Sequence, residues 1–224
     1  MRHGTRTIVA SSFALTLLLG NGTGLLAQTA APAAAPAMSE ASAATLTAED
    51  RQKAADYLDQ TRQDFLASIS GLSEAQWKYK PAPDRWSIAE VAEHIALSEG
   101  TILGMISERI LKGPAAPAGT EKVADEKVIS TVTDRSGKAQ APEMLKPTNQ
   151  WATQAELVKA FEESRAKTID YVKTTQDDLR GHAGPHPALG TIDGYQWVLL
   201  LSAHSARHTA QIEEVKADPG FPKS

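Results

Sequence analysis

Two histidines four residues apart, His204 and His208, stand in the stretch Ala-His-Ser-Ala-Arg-His-Thr-Ala-Gln near the end of the 224-residue chain. On a helix four residues make just over one turn, so both imidazoles project from one face. The line through Trp197, Leu201, His204, His208, Ile212 and Val215 advances in steps of three or four and puts the pair on the apolar side. Imidazole nitrogens there need partners, because each unsatisfied buried polar group costs about 1–3 kcal/mol. Water, hydroxyls or carboxylates would satisfy them. So would a metal ion, since neutral imidazole is a common metal ligand and an i, i+4 pair can hold one ion.

A third histidine changes the weight of that pair. His94, in Ser-Ile-Ala-Glu-Val-Ala-Glu-His-Ile, lies on a line with Val91, Ser98, Thr101 and Met105 at the border of another apolar helical face. Two helices facing each other in a bundle would set it opposite His204 and His208, with three nitrogens around one point. The chain has no cysteine, which excludes thiol nucleophiles and Cys-ligated zinc and leaves His and carboxylates as metal ligands. No glycine-rich phosphate loop, Asp-Gly calcium loop or GxSxG elbow occurs.

Other polar residues are weaker candidates. Glu90 lies one turn before His94 and could hold its second ring nitrogen, but a helix cap with Ser87 already accounts for it. Gln211 either binds a metal water or faces a neighbouring helix, and Arg207 either steers an anionic substrate or is simply exposed. Glu93 and Glu99 read as solvated. His182 and His186, in Gly-His-Ala-Gly-Pro-His-Pro, read as exposed loop residues or as the mouth of the site, and Asp134, Arg135 and Ser136 as part of a lid.

The elements that must position these residues are helices. Thr47 precedes Asp50, Ser87 precedes Glu90, Thr153 precedes Glu156 and Asp193 precedes Gln196, each pair at capping-box spacing. Helical periodicity then runs over residues 48–70, 88–111, 154–179 and 194–217. Such amphipathic helices bury their stripes against one another, so the expected fold is all-α, a four-helix bundle. Aromatic residues make up only 5%, which fits helix packing better than a β-sandwich. Trp-Lys-Tyr-Lys-Pro-Ala-Pro-Asp-Arg-Trp makes a stiff corner between the first two helices. Residues 112–152 form a crossover between the second and third, long enough to be functional and to let them run parallel.

The beginning of the chain reads as an address. Arg2, His3 and Arg6 lead into an apolar run from Ile8 to Leu19 and small residues to Ala27, the order of a secretory signal peptide. The run is shorter than the ~20 residues that a membrane span needs. The expected organisation is a signal peptide over 1–27, an Ala/Pro-rich linker over 28–45, a helical domain over 46–217 and a tail over 218–224, in a periplasmic or secreted protein. A net charge of −4 offers no basic surface for phosphates, so nucleic acid is an unexpected partner, as is a stable membrane anchor after cleavage.

The sequence resembles the DinB-like (YfiT-type) four-helix-bundle domains. The residues that carry the resemblance are Trp86-Ser87-Ile88-Ala89-Glu90-Val91-Ala92-Glu93-His94-Ile95 and Ala203-His204-Ser205-Ala206-Arg207-His208-Thr209-Ala210-Gln211-Ile212, with His186-Pro187-Ala188-Leu189-Gly190 and Tyr195-Gln196-Trp197 before the last helix. The resemblance spans residues 46–217 and implies a bundle whose middle helices are joined by a long crossover. It also implies a divalent metal held by His94, His204 and His208. Zinc and nickel rank ahead of iron and manganese. Three protein ligands leave a coordination position open, as at catalytic sites. Family members of known activity are metal-dependent hydrolases or thiol transferases. The expectation is therefore an exported metal-dependent hydrolase of a small substrate, with catalytic residues beyond the ligands unassigned. A metal-dependent thiol transferase and a non-catalytic metal-binding or dimerising module are the alternatives, and a homodimer is an open option.

Overall fold

The computed structural model describes residues 45–117, 119–121, 123–137 and 140–223. The expected signal peptide, and all of the expected linker except its last residue, lie outside the described residues. Four long helices form as their caps direct: α1 (Ala48–Ile69), α3 (Ile88–Met105), α5 (Gln154–Thr174) and α6 (Gly194–Lys216). At the start of α1 the Thr47 hydroxyl accepts from the Asp50 N–H at 3.0 Å. Ser87 with Glu90, Thr153 with Glu156 and Asp193 with Gln196 close reciprocal capping boxes. The same chemistry builds a helix that periodicity did not reveal, α2 (Glu74–Trp77), where Ser73 and Gln76 cap each other.

Two ends differ from the sequence expectation. The α3 ladder widens into a π-helical turn over Ile106–Ile110. Helix α5 stops at Thr174 instead of Leu179, because Thr175 turns extended and exchanges hydrogen bonds with Asp177, its hydroxyl accepting from the Asp177 N–H at 3.1 Å and donating to Oδ2 at 2.8 Å. The fold is mostly helical, with one addition. A small antiparallel hairpin, β1 (Ala183–His186) and β2 (Gly190–Asp193), leads into α6, with Gly190 at φ 72° closing its turn.

Helix direction follows from the contacts. Arg51 reaches the Val172 carbonyl, Arg165 the Leu58 carbonyl, and the Phe65 and Phe161 rings meet edge to face, so α1 and α5 are antiparallel. Along α3 and α5 the pairings rise together, from Glu93 with residues 148–150 to Glu99 with Arg165, so these two run parallel. The segment joining them carries α4 (Asp125–Thr133), which packs along α6, and a single 3-10 turn at Glu143–Leu145.

The core is two apolar clusters, one around Leu58, Ile102, Val172 and Leu199, the other around Phe65, Ile95, Phe161 and Ile212. Between them lies a polar layer. Arg165, fully buried, donates to Glu99, to the Leu58 carbonyl, to Thr61 and to Ser205, and so touches all four long helices. Outside the core Arg180 joins Asp50, Asp125 and Asp193, at the starts of α1, α4 and α6 respectively, and lies 3.9 Å over the Tyr195 ring. No helix among the described residues is long and apolar enough to cross a membrane.

Candidate metal centre

The three expected histidines converge. His94 from α3 meets His204 and His208 from consecutive turns of α6, and one nitrogen of each ring lies within 4.8 Å of the others. His94 Nε2 stands 3.1 Å from His204 Nε2. That is near the separation of about 3.3 Å for two nitrogens bound at about 2.0–2.1 Å to one tetrahedral ion. His94 is buried and the other two are partly exposed.

Two of the three rings are held from outside. His94 Nδ1 lies 2.8 Å from the Leu145 carbonyl. A carbonyl only accepts, so Nδ1 carries the proton and Nε2 presents its lone pair inward. His208 Nδ1 lies 2.8 Å from Gln211 Oε1, which orients that ring in the same way. Trp86 packs its ring 5.1 Å from that of His94. All three imidazoles are pushed below the ordinary histidine value. Burial is the main cause for each, assisted at His204 by the charges of His208 and His94 and at His208 by that of His94, and His208 falls to about 3. Neutral rings at neutral pH are ready ligands. The donor set, the tautomers of His94 and His208 and the spacing therefore fit a divalent ion.

The weaker candidates resolve one by one, Glu90 as its spacing to Ser87 suggests and the two buried glutamates against expectation. Glu90 caps α3 with Ser87 and pairs with Lys80 at 2.9 Å, leaving His94 to Leu145. Glu93 and Glu99 are buried, not solvated: Glu93 accepts three backbone N–H groups and Glu99 pairs with Arg165. His182 and His186 do not reach the site. His186 packs on Trp197, two turns before His204 on α6, and His182 Nδ1 lies 3.1 Å from the Gly113 carbonyl. Arg207 is not a free cation, because it donates to the carbonyls of Val132, Asp134 and Gly137. Asp134, Arg135 and Ser136 do lie beside the histidine turn of α6, where Arg135 holds Glu214 at 2.6 and 2.7 Å.

Sequence reasoning missed two groups, the Leu145 carbonyl behind His94 and Glu99 in the buried polar layer. The Leu145 carbonyl left no signal, since any residue supplies a carbonyl. Glu99 did leave one: it sits on the line Ile88, Ala92, Ile95, Glu99, Ile102, Ile106, a carboxylate on an otherwise apolar stripe.

A family model described as the DinB superfamily matches residues 57–212. The protein YuaE of Bacillus subtilis (strain 168), which carries the description uncharacterized, is 25% identical over 158 residues, or 70% of this chain and 94% of that one. Among solved structures, YfiT from Bacillus subtilis is described as a probable metal-dependent hydrolase with an unusual four-helix bundle topology. It aligns over 80% of this chain and 93% of its own, at 16% identity and a TM-score of 0.50, a likeness of fold alone. TT2238, described as a four-helix bundle protein, aligns over 73% of this chain and 98% of its own at 18% identity and a TM-score of 0.47.

Proposed function

The chain belongs to the DinB superfamily, and from that membership we propose that it binds one divalent metal ion through His94, His204 and His208 and hydrolyses a small substrate outside the cytoplasm. The observation that carries the reading is the convergence of three neutral imidazoles, His94 Nε2 and His204 Nε2 only 3.1 Å apart, with the far nitrogen of His94 tied to a carbonyl. The description of YfiT as a probable metal-dependent hydrolase lends it support.

An ion bound there supplies a Lewis acid and an acidified water at neutral pH. The chain's own part is to hold the ligands. The Leu145 carbonyl and Gln211 fix two of the rings, and Trp86 covers His94. No protein base is assigned. The cluster supplies nitrogens alone, with no carboxylate ligand, which suits zinc or nickel better than magnesium or calcium. Export follows from the basic, apolar and small-residue order of residues 1–27. An exported enzyme lacks a ready supply of small thiols, which favours hydrolysis over thiol transfer.

Elemental analysis of residues 28–224, purified without chelator or affinity histidines, tests the reading. Roughly one transition-metal ion per chain is expected, lost from both His94→Ala and His208→Ala with most helix content retained. Chelator-sensitive hydrolysis of a panel of small esters and amides would then assign the reaction. Full metal binding by either variant, or none by the wild type after reconstitution, would refute the three-histidine site.

A further inference from the structure

Residues 143–150, which lead into α5, cross α3 at two adjacent side chains. At the first, the Leu145 carbonyl holds His94 Nδ1 at 2.8 Å. At the second, three consecutive backbone N–H groups converge on Glu93. Its Oε1 accepts from Thr148 at 2.8 Å and Gln150 at 3.0 Å, and its Oε2 accepts from Asn149 at 3.0 Å. The Thr148 hydroxyl adds a fourth donor at 3.3 Å. Asn149 has φ 60°, the one positive value among described non-glycine residues, and this lets successive N–H groups face one point.

Glu93 is only 4% exposed. A carboxylate so buried is tolerable only while its hydrogen bonds hold, and bonds to a charged acceptor are the strong kind. Its four donors all belong to residues 143–150, a strap across α3 that cannot lift without stranding the charge. Two residues separate Leu145 from the nearest of those donors, Thr148 at 2.8 Å, too few for the carbonyl to wander while the anchor holds.

We infer that Glu93 is a positioning residue for the metal centre: it pins the strap whose Leu145 carbonyl keeps the proton of His94 on Nδ1 and its Nε2 lone pair facing His204 and His208. An imidazole without that partner samples both tautomers, one of which points a proton at the ligand position. The inference rests on the three-histidine reading of the site. The role resembles that of a carbonyl behind a metal-binding histidine, moved one step further out.

The test reads tautomer and affinity separately. Long-range 1H–15N correlation spectra of the metal-free protein near neutral pH report which ring nitrogen of His94 carries the proton. Competition against a chromophoric chelator reports zinc affinity. Glu93→Gln removes the charge and aims an amide at backbone donors. Asn149→Val strains the strap at φ 60° without touching α3, and so carries the test if Glu93→Gln does not fold; Asn149→Gly is the neutral control. The expected result is a single Nδ1–H tautomer in the wild type and in Asn149→Gly. In Glu93→Gln and Asn149→Val the tautomers mix and zinc affinity drops about 10–100-fold. A wild type that binds no zinc removes the metal centre itself and the proposal with it. A wild type that binds zinc while Glu93→Gln and Asn149→Val change neither tautomer nor affinity overturns the role of Glu93 alone.

Discussion

Removing the Glu99 carboxylate should unfold the bundle far more readily than its location within one helix suggests. Arg165 has five N–H donors, and all are used: two on Glu99, one on the Leu58 carbonyl at 2.6 Å, one on Thr61 at 2.8 Å and one on Ser205 at 2.7 Å. The arginine is wholly buried and Glu99 is 1% exposed. Glu99→Ala leaves two donors and an uncompensated charge between two apolar clusters, which costs about 3–5 kcal/mol. For a domain of this size each kcal/mol moves the melting temperature by about 2–4 °C, so a fall of roughly 12 °C is expected. Replacing both partners, as in Glu99→Leu with Arg165→Met, removes the stranded charge together with the bond, and that pair should be no worse than Glu99→Ala. Urea unfolding followed by circular dichroism measures the wild type, Glu99→Ala, the single variants Glu99→Leu and Arg165→Met and their double, provided the denaturant slopes agree. A loss below about 1 kcal/mol for Glu99→Ala, or strictly additive single and double variants, would refute the argument that the pair acts as one unit.

The ion cluster at the helix starts gives a pH dependence. At Asp50 and Asp125 burial raises the carboxyl pKa, but the hydrogen bonds and charge of Arg180 lower it further, so both end below the ordinary aspartate value. A depressed folded pKa stabilises above the unfolded value near 3.9 and is lost as pH falls through the folded one. Arg180→Ala should therefore lower thermal stability at pH 7 by about 2 kcal/mol, with the gap from wild type closing toward pH 3 in parallel melts; a gap constant with pH would contradict the assignment. At the site, Gln211→Ala releases His208 Nδ1, and a chelator competition should show zinc affinity reduced about tenfold with helix content unchanged. Unaltered affinity would mean that Gln211 does not orient the ring.

Features set by neighbours in the sequence were the ones that could be read from it. The four long helices announced themselves through Thr47, Ser87, Thr153 and Asp193, because a cap acts within three residues of itself. The histidine triad was legible for a related reason: four-residue spacing fixes two rings on one face, while the place of His94 beside a second apolar face, together with the family resemblance, supplied the third. Ser73 and Gln76 carried the same cap signature but headed only one helical turn, too short for a periodicity to confirm. The π-helical turn at Ile106–Ile110 has no local signature, and the hairpin before α6, though local, pairs only four residues a side, too few for alternation to reveal. Glu93 and Glu99 were misread because a glutamate's destination depends on what crosses its helix. Their partners lie 55 or more residues away, beyond any local pattern.

Trp86 makes the molecule its own optical gauge. Its indole lies 5.1 Å from the imidazole of His94 and is one of four tryptophans in the chain. Trp77 and Trp151 line a separate cleft, and Trp197 stands two turns before His204. With those three changed to phenylalanine, the remaining emission comes from the ring against the first histidine. A paramagnetic ion held by that histidine would quench it and closed-shell zinc would not, so fluorescence would separate zinc from nickel, iron or manganese without a substrate in hand.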